Sequence, residues 1–350
     1  MYINRRQLLT LASLGTVAYG NVRAQTLSAR DRLSFPPGSI IRTLREDLPP
    51  SNLLGGATLF HEHLSARFSP TSTRFRDDVD IMIEETRAAA RSGIACIVDA
   101  GHPDIMRSLG ALTRITRESG MPIVASGGFY VQRTYPPHIA ARSVEEIAND
   151  LVHEAMAQRL GAFGEIGQEA GHMTPDEQKV FKAIAQAHLR TGLPIYTHNP
   201  YIGRRAAPPV PLDVALRQLD LFETAGVAPQ YLALGHVCCL DDPKATVAIA
   251  LASRGAFVGF DRVTLNGIIP DEARVVMAME LIDAGHADHL LLSSDFAVED
   301  ALTMNGGPGL AQTATVFAPM LLAAGVPEDT IQQILVDNPR RFLAFVPISN

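Results

Sequence analysis

The chain has no tryptophan, only three cysteines, and an aromatic content of 6% in 350 residues. Cys96, Cys238 and Cys239 are too few for a disulfide framework, and the adjacency of the last two would strain a direct bridge. They read as small buried hydrophobes rather than thiolate ligands. With so few aromatic rings, a roomy apolar pocket is hard to line. Net charge is −7 and no Lys/Arg run follows the N-terminus, which argues against nucleic acid as a partner. No internal repeat or low-complexity linker is visible. Beyond the first two dozen residues, no segment is apolar for long enough to span a bilayer.

What the chain does have is apolar mass. At 47% hydrophobic it can build one large core, and residues 25–350 read as one barrel domain. Residues 1–24 read as an export signal. Arg5-Arg6 precede the apolar stretch Leu8 to Tyr19, and Val22-Arg23-Ala24 resembles a small-x-small cleavage site before Gln25. The paired arginines look like a twin-arginine signal, although Asn4 and Leu8 depart from its commonest form. An ordinary secretory signal or a buried N-terminal helix are the alternatives. Processing would take net charge from −7 to −10, leave no stable membrane anchor, and place the mature protein in the periplasm or outside the cell.

Eight short β-rich runs can be read: Ala57–Phe60, Ala95–Asp99, Ile123–Ser126, Ala162–Ile166, Pro194–His198, Tyr231–His236, Ala256–Asp261 and Leu290–Ser294. Helical apolar spacing follows them, over Asp77–Ser92, Val144–Leu160, Pro175–Thr191, Pro211–Ala225, Asp241–Arg254, Asp271–Ala284 and Thr313–Ala324. Gly93, Gly120, Gly192, Gly255 and Gly285 read as helix C-caps. Alternating strands and helices with continuous apolar strands imply an α/β fold, a closed (β/α)8 TIM barrel. An open doubly wound sheet is the alternative. Residues from about Gln25 to Gly56 form a lead-in, a small hairpin over the barrel bottom.

The ends of these strands carry the chemistry. His61-Glu62-His63 ends the first run, and residues i and i+2 of a strand share a face, so both imidazoles can grip one metal ion. Glu62 should point away from them, as a supporting or structural group. Glu165, His198, His236 and Asp295 each close a further run. Either histidine alone reads equally well as a satisfied core residue; as a set at strand ends, the six read as a binuclear site. Glu165 is placed to bridge two divalent ions, zinc by donor type, with cobalt or manganese as alternatives. A hydroxide shared by two such ions would be nucleophilic at neutral pH, and Asp295 can take its proton. His102, His138, His153, His172, His188, His286 and His289 receive no role.

Several segments carry a resemblance: Thr58–Leu64, Gly164-Glu165-Ile166-Gly167, Thr197-His198, Gly235-His236, Gly259-Phe260-Asp261, Ser294-Asp295 and Asn338–Phe342. Over nearly its whole mature length the chain resembles the phosphotriesterase-like family of the amidohydrolase superfamily. The resemblance implies that His61 and His63 hold a buried metal, His198 and His236 a more exposed one, and Asp295 the first metal and the proton. It also implies a homodimer. The best-known organophosphate hydrolases of that family bridge their metals with a carboxylated lysine. Here Glu165 stands in its place, as in the phosphotriesterase homology subgroup, which Asn305-Gly306-Gly307-Pro308-Gly309 also resembles. Asp261-Arg262 and Phe129-Tyr130 instead look like the lactonase members, in which an Arg and a Tyr help position the substrate. Tyr130 and Arg262 are therefore candidate substrate-binding residues. Lysines suited to a phosphorylated sugar lactone are absent from Arg262–Pro270. The expected substrate is a lactone or other carboxylic ester. An amide or a phosphotriester is the enzymatic alternative, and a metal-holding periplasmic binding protein without turnover is the alternative of another class.

Overall fold

Eight parallel strands, hydrogen-bonded in chain order from Ala57–Glu62 (β3) to Leu290–Leu292 (β10), form the (β/α)8 TIM barrel expected from the sequence. The computed structural model describes residues 33–66, 78–206 and 209–348. The expected export signal lies outside them, as does the first residue of the helix expected over Asp77–Ser92. The intervening strands are Ile94–Asp99 (β4), Ile123–Gly127 (β5), Ala162–Gly167 (β6), Ile195–His198 (β7), Leu232–Leu234 (β8) and Phe257–Phe260 (β9). A short antiparallel hairpin, Ile41–Arg42 (β1) with Asp47–Leu48 (β2), precedes them, so the expected lead-in hairpin is present.

Alternation along the strands sorts two cores. Phe60, Val98, Val124, Tyr196, Ala233 and Leu291 point inward and fill the barrel with Ile41, Leu48 and Leu53 of the lead-in. Leu59, Ile97, Ile123, Phe163 and Val258 point outward and pack on the helices. Because the side-chain period is 2, a one-residue slip of any strand would exchange these sets, so burial on both faces fixes the register. Leu44 N–H donates to the Ile123 carbonyl at the start of β5, so the hairpin closes the N-terminal end of the barrel and leaves the other end to chemistry.

The outer helices include Val79–Arg91 (α1), Leu109–Ser119 (α2), Val144–Ala157 (α3) and Pro175–Thr191 (α4). Helix α4 shows why the sequence folds locally as it does. Thr174 accepts from the Glu177 N–H at 3.1 Å while the Glu177 carboxylate accepts from the Thr174 N–H at 2.9 Å, a reciprocal cap worth about 1 kcal/mol. Glu177 also accepts from Glu169 N–H at 2.9 Å, which ties the loop after β6 to the helix. All five glycines read as caps have positive φ. Helix α2 was missing from the helical segments read in the sequence.

The barrel seam is made by one buried carboxylate. Glu62, at the end of β3, accepts from Ser293 Oγ at 2.7 Å, Ser294 N–H at 3.0 Å, Ser294 Oγ at 2.8 Å and Phe296 N–H at 2.8 Å. Its side chain thus clasps the last strand's exit to the first strand, as a structural group turned away from the two flanking imidazoles. Asp295 N–H to His61 O and His63 N–H to Phe296 O, both 3.2 Å, continue the seam.

Candidate metal centre

Six side chains predicted from the sequence meet at the C-terminal end of the barrel. His61 and His63 come from β3 and its exit, Glu165 from β6, His198 from β7, and His236 and Asp295 from the residues just past β8 and β10. The expected sixth and eighth strands, Tyr231–His236 and Leu290–Ser294, are shorter in the structure. His236 and Asp295 take left-handed backbone at φ 58° and 47° in the turns that follow the two strands. A non-glycine residue there costs roughly 1–2 kcal/mol, and the strain falls on two candidate ligands.

Glu165 sits at the middle of the cluster. Its Oε1 is 3.2 Å from His63 Nε2, and its Oε2 is 3.4 Å from His61 Nε2, 2.8 Å from His198 Nδ1 and 3.4 Å from His236 Nε2. Asp295 Oδ1 is 3.1 Å from His63 Nε2. Donor atoms of His61, His63, Glu165 and Asp295 form one group lying within 4.8 Å of one another, and those of Glu165, His198 and His236 form a second. The two groups share Glu165, the arrangement of a two-ion site bridged by a carboxylate. Gly164 makes room for it: a β-carbon there would lie 2.4 Å from the Tyr196 ring, whose hydroxyl shares a 2.7 Å hydrogen bond with Ser126 Oγ. His61, His63 and His236 are 0% exposed while His198 is 7% and Asp295 9% exposed, so the cluster meets solvent on the His198–Asp295 side.

The tautomers test whether cations fit. Asp261, at the exit of β9, holds His61 Nδ1 at 2.9 Å on one oxygen and His236 Nδ1 at 3.0 Å on the other, and accepts the His236 backbone N–H at 2.7 Å. Each Nδ1 therefore carries the proton, and each Nε2 turns a lone pair inward. His61 Nε2 is buried, has no hydrogen-bond partner, and faces carboxylate oxygens. A lone pair opposed to anionic oxygens is repulsive unless positive charge, a proton or a metal ion, lies between them. Burial lowers the His61 and His236 rings, but the carboxylates outweigh it and push both up accordingly. Two such donor groups sharing one carboxylate fit divalent ions. Burial pushes the Glu165 carboxyl up, but the His61 and His198 imidazoles outweigh it and hold it well below the usual range. Burial keeps the His198 ring neutral, down at about 4, against the pull of Glu165. Burial also lowers the His63 ring, and the carboxylates outweigh it there too and push the ring up to about 9. The His61, His63 and His236 rings thus sit where positive charge is favoured, and carboxylates with imidazoles are the donor set of a hard-to-borderline divalent cation.

Both substrate-side candidates stand at the mouth. The Tyr130 ring meets the His198 ring edge-on at 4.8 Å between centroids. Arg262 Nε donates to Asp295 Oδ2 at 2.7 Å. Asp261, which entered the sequence reading only within family-like segments, is the site residue to which that reading gave no role. Its signal was faint, a polar residue ending an apolar run, and its partners His61 and His236 are 200 and 25 positions away. Cys238 and Cys239 are buried with sulfurs 4.0 Å apart and belong to neither donor group, in keeping with their reading as small core residues.

The Phosphotriesterase family model matches residues 40–343 of the chain. Over 300 residues the chain is 31% identical to a phosphotriesterase homology protein of Escherichia coli (strain K12), covering 82% of this chain and 97% of that protein. It is 26% identical over 314 residues to an aryldialkylphosphatase of Saccharolobus solfataricus, covering 83% and 95%. The crystal structure of a lactonase from Listeria monocytogenes matches with a TM-score of 0.76 at 25% identity, covering 87% of this chain and 99% of that one.

Proposed function

Because this chain belongs to the phosphotriesterase family of the amidohydrolase superfamily, whose members are hydrolases of small molecules, we propose that it is an exported two-metal enzyme that hydrolyses a lactone or another carboxylic ester. The observation that carries the reading is the pair at the mouth: Tyr130 against the His198 ring and Arg262 on Asp295, beside the Glu165-centred cluster. A phenol and a guanidinium at that spot suit the planar, neutral carbonyl side of an ester. The likeness to a lactonase over 87% of the chain supports the same class. The likeness to an aryldialkylphosphatase makes phosphotriesters the rival class. An amide is a further alternative for the same machinery.

His61, His63 and Asp295 would hold one ion, His198 and His236 the other, and Glu165 both; zinc is the proposed metal. Bound divalent ions supply an acidified water, with pKa near 7, and polarise the substrate oxygen. The chain's own groups do the rest. Asp261 keeps the His61 and His236 rings aimed inward. Burial pushes the Asp295 carboxyl up, but Arg262 together with the His63 and His61 rings outweighs it and holds the group well below the ordinary range, so Asp295 is ionised at neutral pH and open to a proton at Oδ2 or Oδ1. Arg262 and Tyr130 orient the substrate's oxygens. Once protonated, Asp295 lies on the solvent side of the cluster and can pass its proton outward. A metal-holding binding protein needs no such acceptor, which favours turnover.

The test is a hydrolysis panel of lactones, aryl esters, N-acyl amides and aryl phosphotriesters, with and without added divalent metal. The reading expects the highest kcat/KM on a lactone or ester. A phosphotriester preferred over every lactone and ester would assign the rival class, and no turnover of any of them would point to binding alone.

A further inference from the structure

The Tyr130 loop is fixed by a carboxylate that has no part in the metal centre. Asp104 follows β4, and its side chain is 0% exposed. Its Oδ2 accepts from the Tyr130 backbone N–H at 2.9 Å and from Thr134 Oγ1 at 2.8 Å, and its Oδ1 lies 3.2 Å from His102 Nδ1. The Tyr130 amide can only donate, so Oδ2 is its acceptor; Thr134 Oγ1 lies 2.8 Å from both that oxygen and the Val131 carbonyl, and the His102 contact takes its direction from the ring's tautomer. Burying a carboxylate beneath a loop is costly unless it orders something. What it orders is one residue of the mouth. Around it Ala66, Ile105, Tyr130 and Val131 form an apolar cluster of their own, drawn from the loops after β3, β4 and β5. From above, the Arg133 guanidinium lies 5.7 Å from the Tyr130 ring centroid and pairs with Glu169.

We propose that Asp104, oriented by His102, is a positioning residue: it pins the Tyr130 backbone and so sets where the phenol meets the substrate. The inference rests on the reading that Tyr130 contacts the substrate. A group that orients the substrate acts through its own position, so a backbone anchor matters more here than at an ordinary loop.

A double-mutant cycle tests it on the metal-loaded protein, with a lactone or ester that the wild type turns over. Asp104→Ala should raise KM about tenfold and leave kcat within about twofold, since Tyr130 positions rather than reacts. Bound metal should be unchanged. Tyr130→Phe should raise KM similarly, and adding Asp104→Ala to it should cost little more. Asp104→Asn, which keeps an acceptor oxygen for the Tyr130 N–H, should stay near wild type in KM, and Asp104→Leu, similar in volume but without an acceptor, provides the cycle if the alanine variant does not fold. If Tyr130→Phe impairs the enzyme and the losses multiply, Asp104 is a general structural residue and the proposal fails. If Tyr130→Phe has wild-type kinetics, the Tyr130 reading falls first, whatever Asp104 does.

Discussion

Arg262 Nε donates a hydrogen bond to Asp295 Oδ2 at 2.7 Å. The cation expected to orient the substrate is thus also the counter-charge of the expected proton acceptor. Burial raises the Asp295 carboxyl, and Arg262, the strongest of the opposing groups, lowers it together with the His63 and His61 rings, so the net direction is down. The pairing keeps the acceptor ionised and limits its basicity.

Two variants separate these roles. Asp295→Asn keeps shape and one ligand oxygen but removes the base, and loss of a general base typically costs about 10²–10⁴-fold. A drop of that size in kcat with most metal retained is expected. Arg262→Gln removes the charge that depresses Asp295, so its carboxyl titrates at a higher pH. Activity that needs ionised Asp295 is then lost earlier on acidification, and the acid limb of the kcat/KM profile moves up. An acid limb unmoved by Arg262→Gln would show that Arg262 does not tune this group.

Asp261 should matter to metal retention more than to chemistry. Asp261→Asn leaves one oxygen where two imidazole N–H groups and a backbone N–H are now accepted. Loss of such a supporting carboxylate typically weakens metal affinity by about 10–100-fold. Competition with a chelator should show that range, with kcat near normal at saturating metal. Unchanged affinity would mean that the His61 and His236 rings are held without it.

Glu62→Gln should destabilise the barrel. The serine hydroxyls can reverse to accept from the new amide, but a backbone N–H, of Ser294 or Phe296, is left facing a donor. A buried unsatisfied donor costs about 1–3 kcal/mol. A lower Tm in both metal-loaded and metal-stripped protein is the expected reading, and a wild-type Tm in both would refute the seam.

Export has its own test. Arg5 and Arg6 precede a short apolar stretch, and a twin-arginine signal depends on that pair. Replacing both with Lys should trap precursor in the cytoplasm, and the wild-type mature chain should begin near Gln25. Normal export of the double variant would remove the twin-arginine reading.

Much of this was legible in the chain because barrel chemistry sits where apolar runs stop. His61, His63, Glu165, His198, His236 and Asp295 each end a run, and the fold brings all six together. Legibility failed where a residue's meaning depends on closure. Glu62 and Ser293 are 231 positions apart, and His61 and Asp261 are 200 apart; neither spacing carries a periodic signal. The expected sixth strand runs past the end of β8 because the left-handed φ at His236 leaves no mark in hydropathy. His102 carries no strand-end signal, and its contact is to Asp104 two residues on in the same loop.

The central claim is a two-metal hydrolase bridged by Glu165, and a titration of metal-stripped protein tests it most directly. Hydrolysis of the preferred lactone or ester would be followed as zinc, cobalt or manganese is added, with and without bicarbonate. The account predicts activity that rises to a plateau at two ions per chain and is indifferent to bicarbonate, since a glutamate needs no carbon dioxide to become a ligand. His61→Ala or His63→Ala should bind fewer ions. Full activity at one ion per chain or none, or a bicarbonate requirement, would contradict it.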